Sequence, residues 1–395
     1  MLDDDDDDDD DALARALARA LDAVDERATL EHVRSLDVER EAWTTRGNDR
    51  RSNSTTTRRR AENALRAERG GIALTYDGVR AIARWCRRRA MEDGRPARGW
   101  RGMRADDEAT AKAALCANGD HASAWSVRRR YCEGRGLLYV DARARGAEEK
   151  WFEEVVRPEL AFVRFVQSRF PKAPSAWAHR RWLLARTMRF GVELGEDVYY
   201  GEIQACDAAI ARKKSNYAAW SHRAWIIQLM GADSYAVQTA LRASESLARR
   251  GVSDHGALHY RSRIIERYLE LRPSDASKVF TRELEFVREL IDAFPGHETL
   301  WMHYRYAFAE AVKRNKSLAS DADFLATTKR FCEKRRDITE ASRVDPSWAE
   351  HAAASEYRLA NALDVWTTLV VKRAQGGRVH VSRESPNEGF TVDSD

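Results

Sequence analysis

The 395-residue sequence has little of the residues that break helices, with only 8 prolines and 21 glycines. It also lacks alternating runs of Val, Ile and Thr joined by Asn-Gly or Asp-Gly, the usual signal of β-hairpins. Alanine, arginine, leucine and glutamate dominate instead, and all four favour helix. These features predict an all-α protein, organised as two or three domains or as one elongated array.

Cysteine is scarce as well. The five cysteines are scattered and form no Cys-x-x-Cys pair; they are Cys86, Cys116, Cys132, Cys206 and Cys332. An odd, unclustered set argues against a disulfide framework and against a thiolate zinc site, so we expect no metal on this chain. No apolar run approaches 18 residues, and the start does not resemble a signal peptide. We therefore expect a cytoplasmic protein without a transmembrane segment.

Charge is unevenly distributed although the net charge is only +4. Residues 3–11 are nine consecutive aspartates, whereas residues 46–104 hold 17 arginines against 6 acidic residues. An unbroken acidic run repels itself, so residues 1–11 are predicted to be a disordered tail, and residues 44–70 a basic flexible segment. The acidic run could alternatively bind a metal or a basic partner, and the basic zone could meet nucleic acid or an anionic membrane.

Hydrophobic periodicity divides the rest of the chain. Residues 12–43 are predicted to form an N-terminal helix, because Leu13, Leu17 and Leu21 share one apolar face. A helical-repeat region is predicted over residues 71–370, and residues 371–395 are predicted to be a flexible tail.

A motif repeats within the helical region. The stretch "SNYAAWSHRAWIIQ" at 215–228 has the same skeleton as "KAPSAWAHRRWLLA" at 172–185: Trp, one residue, His, Arg, one residue, Trp. Its marker is a Trp with an Arg three residues later, found as Trp125 with Arg128, Trp177 with Arg180 and Trp220 with Arg223. Weaker copies have Leu258 with Arg261, Trp301 with Tyr304 in the Arg place, and Trp348.

Each marker helix follows another amphipathic segment, such as Tyr199, Ile203, Cys206 and Ile210 at i, i+4, i+7 and i+11. Two helices per unit indicate helical hairpins, which bury too little apolar surface alone and therefore stack. The predicted fold is a right-handed superhelical solenoid of the tetratricopeptide-like kind. Within it, the motif indoles are expected to pack, and the arginines to stack on rings or bond helix-end carbonyls. His179 and His222 are expected to be structural.

The repeats resemble those of protein prenyltransferase alpha subunits. The resemblance is carried by "FPKAPSAWAHRRW", "SNYAAWSHRAW", "VSDHGALHYR" and "PGHETLW", and it extends over about residues 120–363. The sequence is similar in particular to the protein prenyltransferase alpha-subunit repeat-containing proteins. Four ordered motifs are a strong signal for the family and a weaker one for its activity.

The resemblance implies an alpha-type subunit that is inactive alone. In this family the alpha subunit wraps a beta subunit, which carries the zinc ion and the isoprenoid diphosphate. The pair transfers a farnesyl or geranylgeranyl group to a cysteine near the C-terminus of a protein. A beta subunit of the Rab geranylgeranyltransferase kind is the favoured partner, with Rab- or SNARE-type proteins as substrates.

The resemblance also implies three site residues. Lys172 matches a lysine that contacts the isoprenoid diphosphate, while Asn216 and Tyr217 match an Asn-Tyr pair that faces the same site. Two family positions differ, because Pro174 replaces a tyrosine and Ala218 replaces a histidine. Lys172 could instead be a solvated turn lysine, and Asn216 could be a plain helix cap.

Two other classes of function remain open. The first is a non-catalytic scaffold that binds proteins or peptides in the groove of the solenoid. The second is nucleic-acid binding through residues 46–104, although we expect no nucleic-acid partner. The sequence has no Gly-rich phosphate loop and no ligand set with zinc spacing, which argues against catalysis by this chain alone.

Overall fold

The computed structural model describes residues 4–21, 29–33, 65–68, 71–92, 108–141, 146–230, 234–341, 349–376, 380–382 and 391–393. The chain divides into two compact units, Met1–His222 and Arg223–Asp395. Among the described residues, no helix is long and apolar enough to cross a membrane.

The first unit consists mostly of helices that pack as antiparallel pairs. They are α1 (Asp4–Leu21), α2 (Tyr76–Glu92), α3 (Glu108–Ala117), α4 (Ala122–Asp141), α5 (Ala147–Trp151), α6 (Arg157–Arg169), α7 (Pro174–Arg189), α8 (Glu196–Arg212) and α9 (Tyr217–Leu229), the last of which crosses into the second unit. The hairpins are α3 with α4, α6 with α7, and α8 with α9, and each second helix carries a marker Trp. Aromatic and aliphatic side chains of α1–α4 and α6 form one core around Trp125, Phe162 and Phe165. A separate apolar cluster joins α7, α8 and α9, and it consists of Trp177, Cys206, Ala209 and Ala219.

A small mixed sheet precedes these hairpins. Its strands are β1 (Thr29–Val33), β2 (Leu65–Glu68) and β3 (Gly71–Thr75). The central strand β3 pairs in parallel with β1 and antiparallel with β2. Ile72 and Leu74 are buried in the same core as the leucines of α1. The sheet therefore packs against the helical core.

The N-terminal region differs from the segments predicted over 1–11, 12–43 and 44–70. The acidic run lies within α1 from Asp4 onward. α1 ends at Leu21 and is followed by β1, so no single helix spans 12–43. β2 falls within 44–70, and the rest of that segment lies outside the described residues.

One π-helical turn interrupts the long helix that opens the second hairpin. α5 continues through the π segment Phe152–Val156 directly into α6. Trp151, at the end of α5, is buried, and its indole N–H donates to the Cys132 carbonyl of α4 at 3.1 Å. Glu159, at the start of α6, is buried against other residues of α4 and α7, as described below.

The second unit continues the hairpin pattern. Its helices are α10 (Ser234–Arg250), α11 (His255–Leu271), α12 (Ala276–Ala293), α13 (Glu298–Arg314), α14 (Ala322–Ala341) and α15 (Ala349–Ala374), with short 3₁₀ turns at Pro273–Asp275 and Lys316–Ser320. α10 packs on α11, α12 on α13, and α14 on α15. The predicted all-α class and the repeated helical hairpins are thus confirmed.

The C-terminal segment predicted as a tail over 371–395 contains some regular structure. α15 extends to Ala374, and two short strands, β4 (His380–Ser382) and β5 (Thr391–Asp393), pair antiparallel. Trp348, the last weak copy of the marker, lies outside the described residues.

Candidate functional site

A buried arginine–glutamate pair joins marker helices to the hairpin that follows. Arg180 of α7 binds Glu202 of α8 through two bonds, Nε to Oε2 at 2.5 Å and Nη2 to Oε1 at 2.7 Å. Both side chains are at most 3% exposed. Two-pronged pairs of this kind are the strong form of a charge-assisted hydrogen bond. The same arrangement occurs in Arg128–Glu159 and Arg261–Glu283.

The same glutamates also bind the histidine of their own hairpin. His222 Nε2 lies 2.8 Å from Glu202 Oε2, and His179 Nε2 lies 2.9 Å from Glu159 Oε1. In each case the glutamate stands 20 residues before the histidine. Each carboxylate is therefore shared by an arginine from the preceding hairpin and a histidine from its own. His303 with Glu283, at 2.6 Å, completes the set in the second unit.

Burial and pairing fix the charges of these groups. Burial alone would raise the pKa of Glu202, but Arg180 and His222 outweigh it and lower that pKa to about 2. The pKa of Glu283 is likewise lowered to about 2. Burial lowers the pKa of His222, and Glu202 opposes this only in part. At neutral pH the glutamates are thus charged and His222 is neutral, with its Nε2–H donating to the carboxylate.

The arrangement changes where the motif is degenerate. Arg223 meets the hydroxyl of Tyr260, which occupies the histidine place, and its guanidinium lies over the Tyr260 ring at 4.8 Å. Tyr304, in the arginine place, is 3.2 Å from the Thr328 hydroxyl. Glu356 of α15 then accepts from Arg335 at 2.7 Å. Substituted positions keep a buried polar contact, which supports a structural reading of the Trp, His and Arg of the motif.

Sequence reasoning missed the glutamates that these motif residues share. Their signal was a glutamate 20 residues before the motif histidine, at Glu159, Glu202 and Glu283. The distance to the arginine before it varies, from 22 residues for Arg180 to 31 for Arg128, so a fixed repeat length would not reveal it.

Two marker indoles anchor the turn that precedes their own helix. Trp125 Nε1 donates to the Gly119 carbonyl at 2.9 Å, and Trp177 Nε1 donates to the Pro171 carbonyl at 2.8 Å. Each bond spans six residues and is buried. The large aromatic residue therefore packs the hairpin core and also fixes the backbone at the edge of the repeat.

Asn216 links two of these turns. Its Nδ2 donates to the Pro171 carbonyl at 2.7 Å, and its Oδ1 accepts from the Ala219 amide at 3.2 Å. The side chain has no exposed surface. A fully buried side chain cannot touch a bound molecule in this conformation. The structure therefore shows a helix cap and a bond between turns, not the direct substrate contact expected for Asn216.

Lys172 and Tyr217 lie at the same edge of the first unit. Each directly follows one partner of the Asn216–Pro171 bond in the chain, so that bond brings the two turns together. Lys172 is exposed and Tyr217 is 66% exposed. Pro174, which replaces the family tyrosine, is also exposed, while Ala218 is half-buried. Of the three predicted site residues, the structure thus leaves two open to solvent.

An exposed lysine and an exposed tyrosine on two joined turns are side chains of the kind that can bind an anion. The lysine supplies a full positive charge, and the tyrosine hydroxyl is a hydrogen-bond donor. Within the described ranges, no group of three or more His, Cys, Asp or Glu side chains could hold a metal ion.

Comparison with known families agrees with the hairpin assignment. The model of the protein prenyltransferase alpha subunit repeat matches residues 156–187, 199–230 and 280–311. These ranges correspond to α6 with α7, α8 with α9, and α12 with α13.

Curated proteins with similar sequences carry related names. Protein prenyltransferase alpha subunit repeat-containing protein 1 of Homo sapiens is 26% identical over 243 residues, covering 49% of this chain and 56% of its own length. The Danio rerio protein of that name is 29% identical over 241 residues, covering 49% and 52%. Geranylgeranyl transferase type-2 subunit alpha of Mus musculus is 28% identical over 207 residues, covering 50% and 32%. The chain thus spans about half the length of the two repeat-containing relatives and about a third of the length of the transferase subunit.

Proposed function

Because the chain carries protein prenyltransferase alpha subunit repeats, we propose that it acts as the alpha-type subunit of a heterodimeric protein prenyltransferase. Its partner would be a beta subunit that holds the zinc ion and the isoprenoid diphosphate. Together they would transfer a geranylgeranyl or farnesyl group to a C-terminal cysteine of a Rab- or SNARE-type protein. Similarity to type-2 geranylgeranyl transferase alpha subunits favours a beta subunit of the Rab kind.

The observation that carries this proposal is the joined pair of turns before α7 and α9. The Asn216–Pro171 bond sets exposed Lys172 beside the turn of exposed Tyr217. Both residues match family positions that face the isoprenoid diphosphate. The buried arginines and glutamates around them maintain the hairpins, whereas Lys172 and Tyr217 present exposed surface to a ligand.

Lys172 would act on the leaving group. When the isoprenoid carbon leaves the diphosphate, negative charge grows on the diphosphate oxygens, and a fixed ammonium stabilises that charge in the transition state. Tyr217 would donate its hydroxyl proton as a hydrogen bond to the same group. The beta subunit would supply the zinc that activates the cysteine thiolate.

Pro174 and Ala218 limit what this chain contributes. The side chains at these places can neither donate a hydrogen bond nor carry a charge. We therefore assign a smaller catalytic share to this chain than the full family constellation would have, with Lys172 as its principal group.

The first test is assembly. We would co-express the chain with each prenyltransferase beta subunit of its source organism and measure complex formation by size-exclusion chromatography. A one-to-one complex that transfers labelled geranylgeranyl from its diphosphate to a protein is the expected result. A chain that stays apart from every beta subunit would refute the proposal.

The second test is Lys172→Ala in that complex. We expect the transfer rate to fall by about tenfold to hundredfold, because removing one preorganised stabiliser of transition-state charge has effects of this order. Lys316→Ala is the matched control, since Lys316 is an exposed lysine of the second unit. A complex in which both variants keep the full rate would limit Lys172 to a solvated turn residue.

A non-catalytic scaffold is the second candidate. The observation that favours it is the half-buried seam between α4 and α7, where the Arg129 guanidinium lies over the Trp182 ring at 5.6 Å. Arginine and tryptophan are enriched at protein interfaces. A chain that binds a protein through this seam and supports no lipid transfer with any beta subunit would favour this reading.

A further inference from the structure

The carbonyl of Pro171 accepts two buried hydrogen bonds. One comes from Trp177 Nε1 at 2.8 Å and the other from Asn216 Nδ2 at 2.7 Å. A carbonyl oxygen has two lone pairs, so both donors are accommodated. This carbonyl belongs to the peptide group that leads into Lys172. The backbone from which the lysine side chain extends is thus fixed from inside the hairpin and from the next hairpin.

The turn before α4 holds the other side of the same segment. Asp120 Oδ1 accepts from the Ser175 amide at 2.8 Å. Gly119 lies so close to Phe170 that a Cβ placed there would be 2.5 Å from the Phe170 ring. Residues 170–175 are therefore held between two neighbouring turns. An exposed lysine in a plain surface turn would not require this support.

The corresponding positions before the other described markers carry side chains other than asparagine. His121 and Asp254, four residues before the markers of α4 and α11, accept from amides of their own helices. In the second unit, the turns before α11 and α13 are bridged by Ser253 Oγ and His297 Nδ1 at 2.9 Å, and that contact is exposed. Capping alone would not require an asparagine at 216, because aspartate or serine caps as well.

We propose that Asn216 is a positioning residue for Lys172. This inference rests on the proposed function, because the proposed function supplies the isoprenoid diphosphate that Lys172 would contact. A lysine side chain has many rotamers, so the backbone is the part that the fold can fix in advance. A charge stabilises a transition state most when its place is set before the reaction. Asn216 sets that place while remaining out of reach of the substrate.

Two variants separate the bridge from the cap. Asn216→Ser keeps an oxygen that caps α9 but removes the amide donor to Pro171. Asn216→Asp also keeps the cap and sets a carboxylate against the carbonyl oxygen. Asp254→Ser is the matched control, because it makes a similar exchange of capping groups at the start of α11. All three variants should fold, since each keeps a good capping residue.

The first readout is independent of activity. We expect amide hydrogen exchange in the peptide covering residues 170–177 to rise about tenfold in Asn216→Ser and at least as much in Asn216→Asp. The same peptide should exchange at the wild-type rate in Asp254→Ser. Unchanged exchange in both Asn216 variants would overturn the inference, whether or not the chain forms part of a transferase.

The second readout uses the complex with a beta subunit. We expect Asn216→Ser to lower the single-turnover transfer rate by about three- to tenfold, because a small misplacement of a catalytic group has effects of this order or larger. The affinity for geranylgeranyl diphosphate should change less than the rate. In a Lys172→Ala background, Asn216→Ser should change the rate by less than about twofold, since residues that act through one another are not additive.

The outcomes distinguish the two proposals. Raised exchange together with non-additive rates supports the positioning role. Raised exchange with fully additive rates, or with no effect of Lys172→Ala, would leave Asn216 a structural bridge and overturn that role. Failure to assemble with any beta subunit would refute the proposed function, and with it any positioning of a catalytic lysine, while the exchange result would still report whether the bridge holds the turn.

Discussion

Two adjacent residues of the marker motif, a histidine and an arginine, bind glutamates of two different hairpins. His179 faces Glu159 of its own hairpin, whereas Arg180 faces Glu202 of the next. Neighbouring residues on a helix point about 100° apart, so a His-Arg pair on one helix reaches both sides. The carboxylates that receive them are fully paired despite deep burial. Removing one member of such a buried ion pair is strongly destabilising, because the remaining charge is left buried without a partner.

Glu202→Gln should destabilise the protein by about 3–5 kcal/mol, because it leaves the Arg180 charge buried without its counter-charge. Urea unfolding followed by circular dichroism measures this free energy of unfolding. Glu289→Gln is the control, since Glu289 pairs with Arg249 in the open at 3.1 Å, and exposed pairs contribute at most about 1 kcal/mol. Equal losses in the two variants would show that burial does not set the cost.

Stability should fall as pH drops, in two ranges. The pKa of His222 is lowered from its ordinary 6.5, so below about 6.5 the unfolded chain binds more protons and the folded state loses stability. The pKa of Glu202 is lowered from 4.5 to about 2, so its contribution, complete above about 4.5, is lost between about 4.5 and 2. Unfolding free energies measured in urea from pH 8 to pH 3 test both.

A His222→Gln variant serves as the control for the first range, because glutamine can donate to Glu202 but does not titrate. Its free energy of unfolding should change less between pH 7 and pH 5 than that of the wild type. A pH profile identical to the wild type would assign that range to other groups.

At the level of residues, the sequence predicted contacts that depend on one helix and missed those that join different helices. The Trp and Arg spacing within one helix was readable, since it follows from helical geometry alone. Glu159 and Glu202 were missed although each stands 20 residues before its histidine, because their arginine partners come from the preceding hairpin at unequal sequence distances. The burial of Asn216 likewise depends on the distant Pro171 carbonyl, which no local pattern reveals.

At the level of elements, the turns between paired helices are as closely packed as the helices. Gly119 illustrates this, because a methyl group there would overlap the Phe170 ring. The sequence predicted helices where apolar periodicity is strong, as in α1 and α12, and where the Trp and Arg marker recurs, as in α7 and α9. It did not predict the β1–β3–β2 sheet, because the partner strands β1 and β3 are separated by a long polar, basic stretch that masks the pairing.

Gly119→Ala should therefore destabilise the first unit by about 1–3 kcal/mol, the range typical of overpacking. Gly134→Ala is the matched control, because a Cβ at Gly134 of α4 meets nothing within 4 Å. Alanine is the better helix former, so this change should stabilise by up to about 1 kcal/mol. Thermal unfolding of both variants measures the contrast, and a Gly119→Ala protein as stable as the wild type would contradict the close packing.

At the level of the whole molecule, each buried pair belongs to two hairpins at once. Arrays of repeats gain stability from contacts between neighbours as well as from each unit. Arg180 lies on α7 and Glu202 on α8, so this pair couples the two hairpins matched by the family model at 156–187 and 199–230.

Arg180→Leu should raise amide hydrogen exchange in both of those hairpins, because Glu202 loses its counter-charge in one and Gln167 loses a bond to Arg180 in the other. Exchange in α12 and α13 should stay within about twofold of the wild type. Exchange mass spectrometry resolves these regions. A rise confined to α7 would show that the pair does not couple neighbouring hairpins.

The π turn at Phe152–Val156 determines how the side chains of α6 are rotated about the helix axis relative to those of α5. A single added residue rotates everything after it by about 100° around the helix axis. Trp151, before the turn, and Glu159, after it, can therefore both point into the protein toward different parts of α4. Deleting one residue from this turn would leave the helix intact but out of phase, so that either the indole or the carboxylate would have to face solvent.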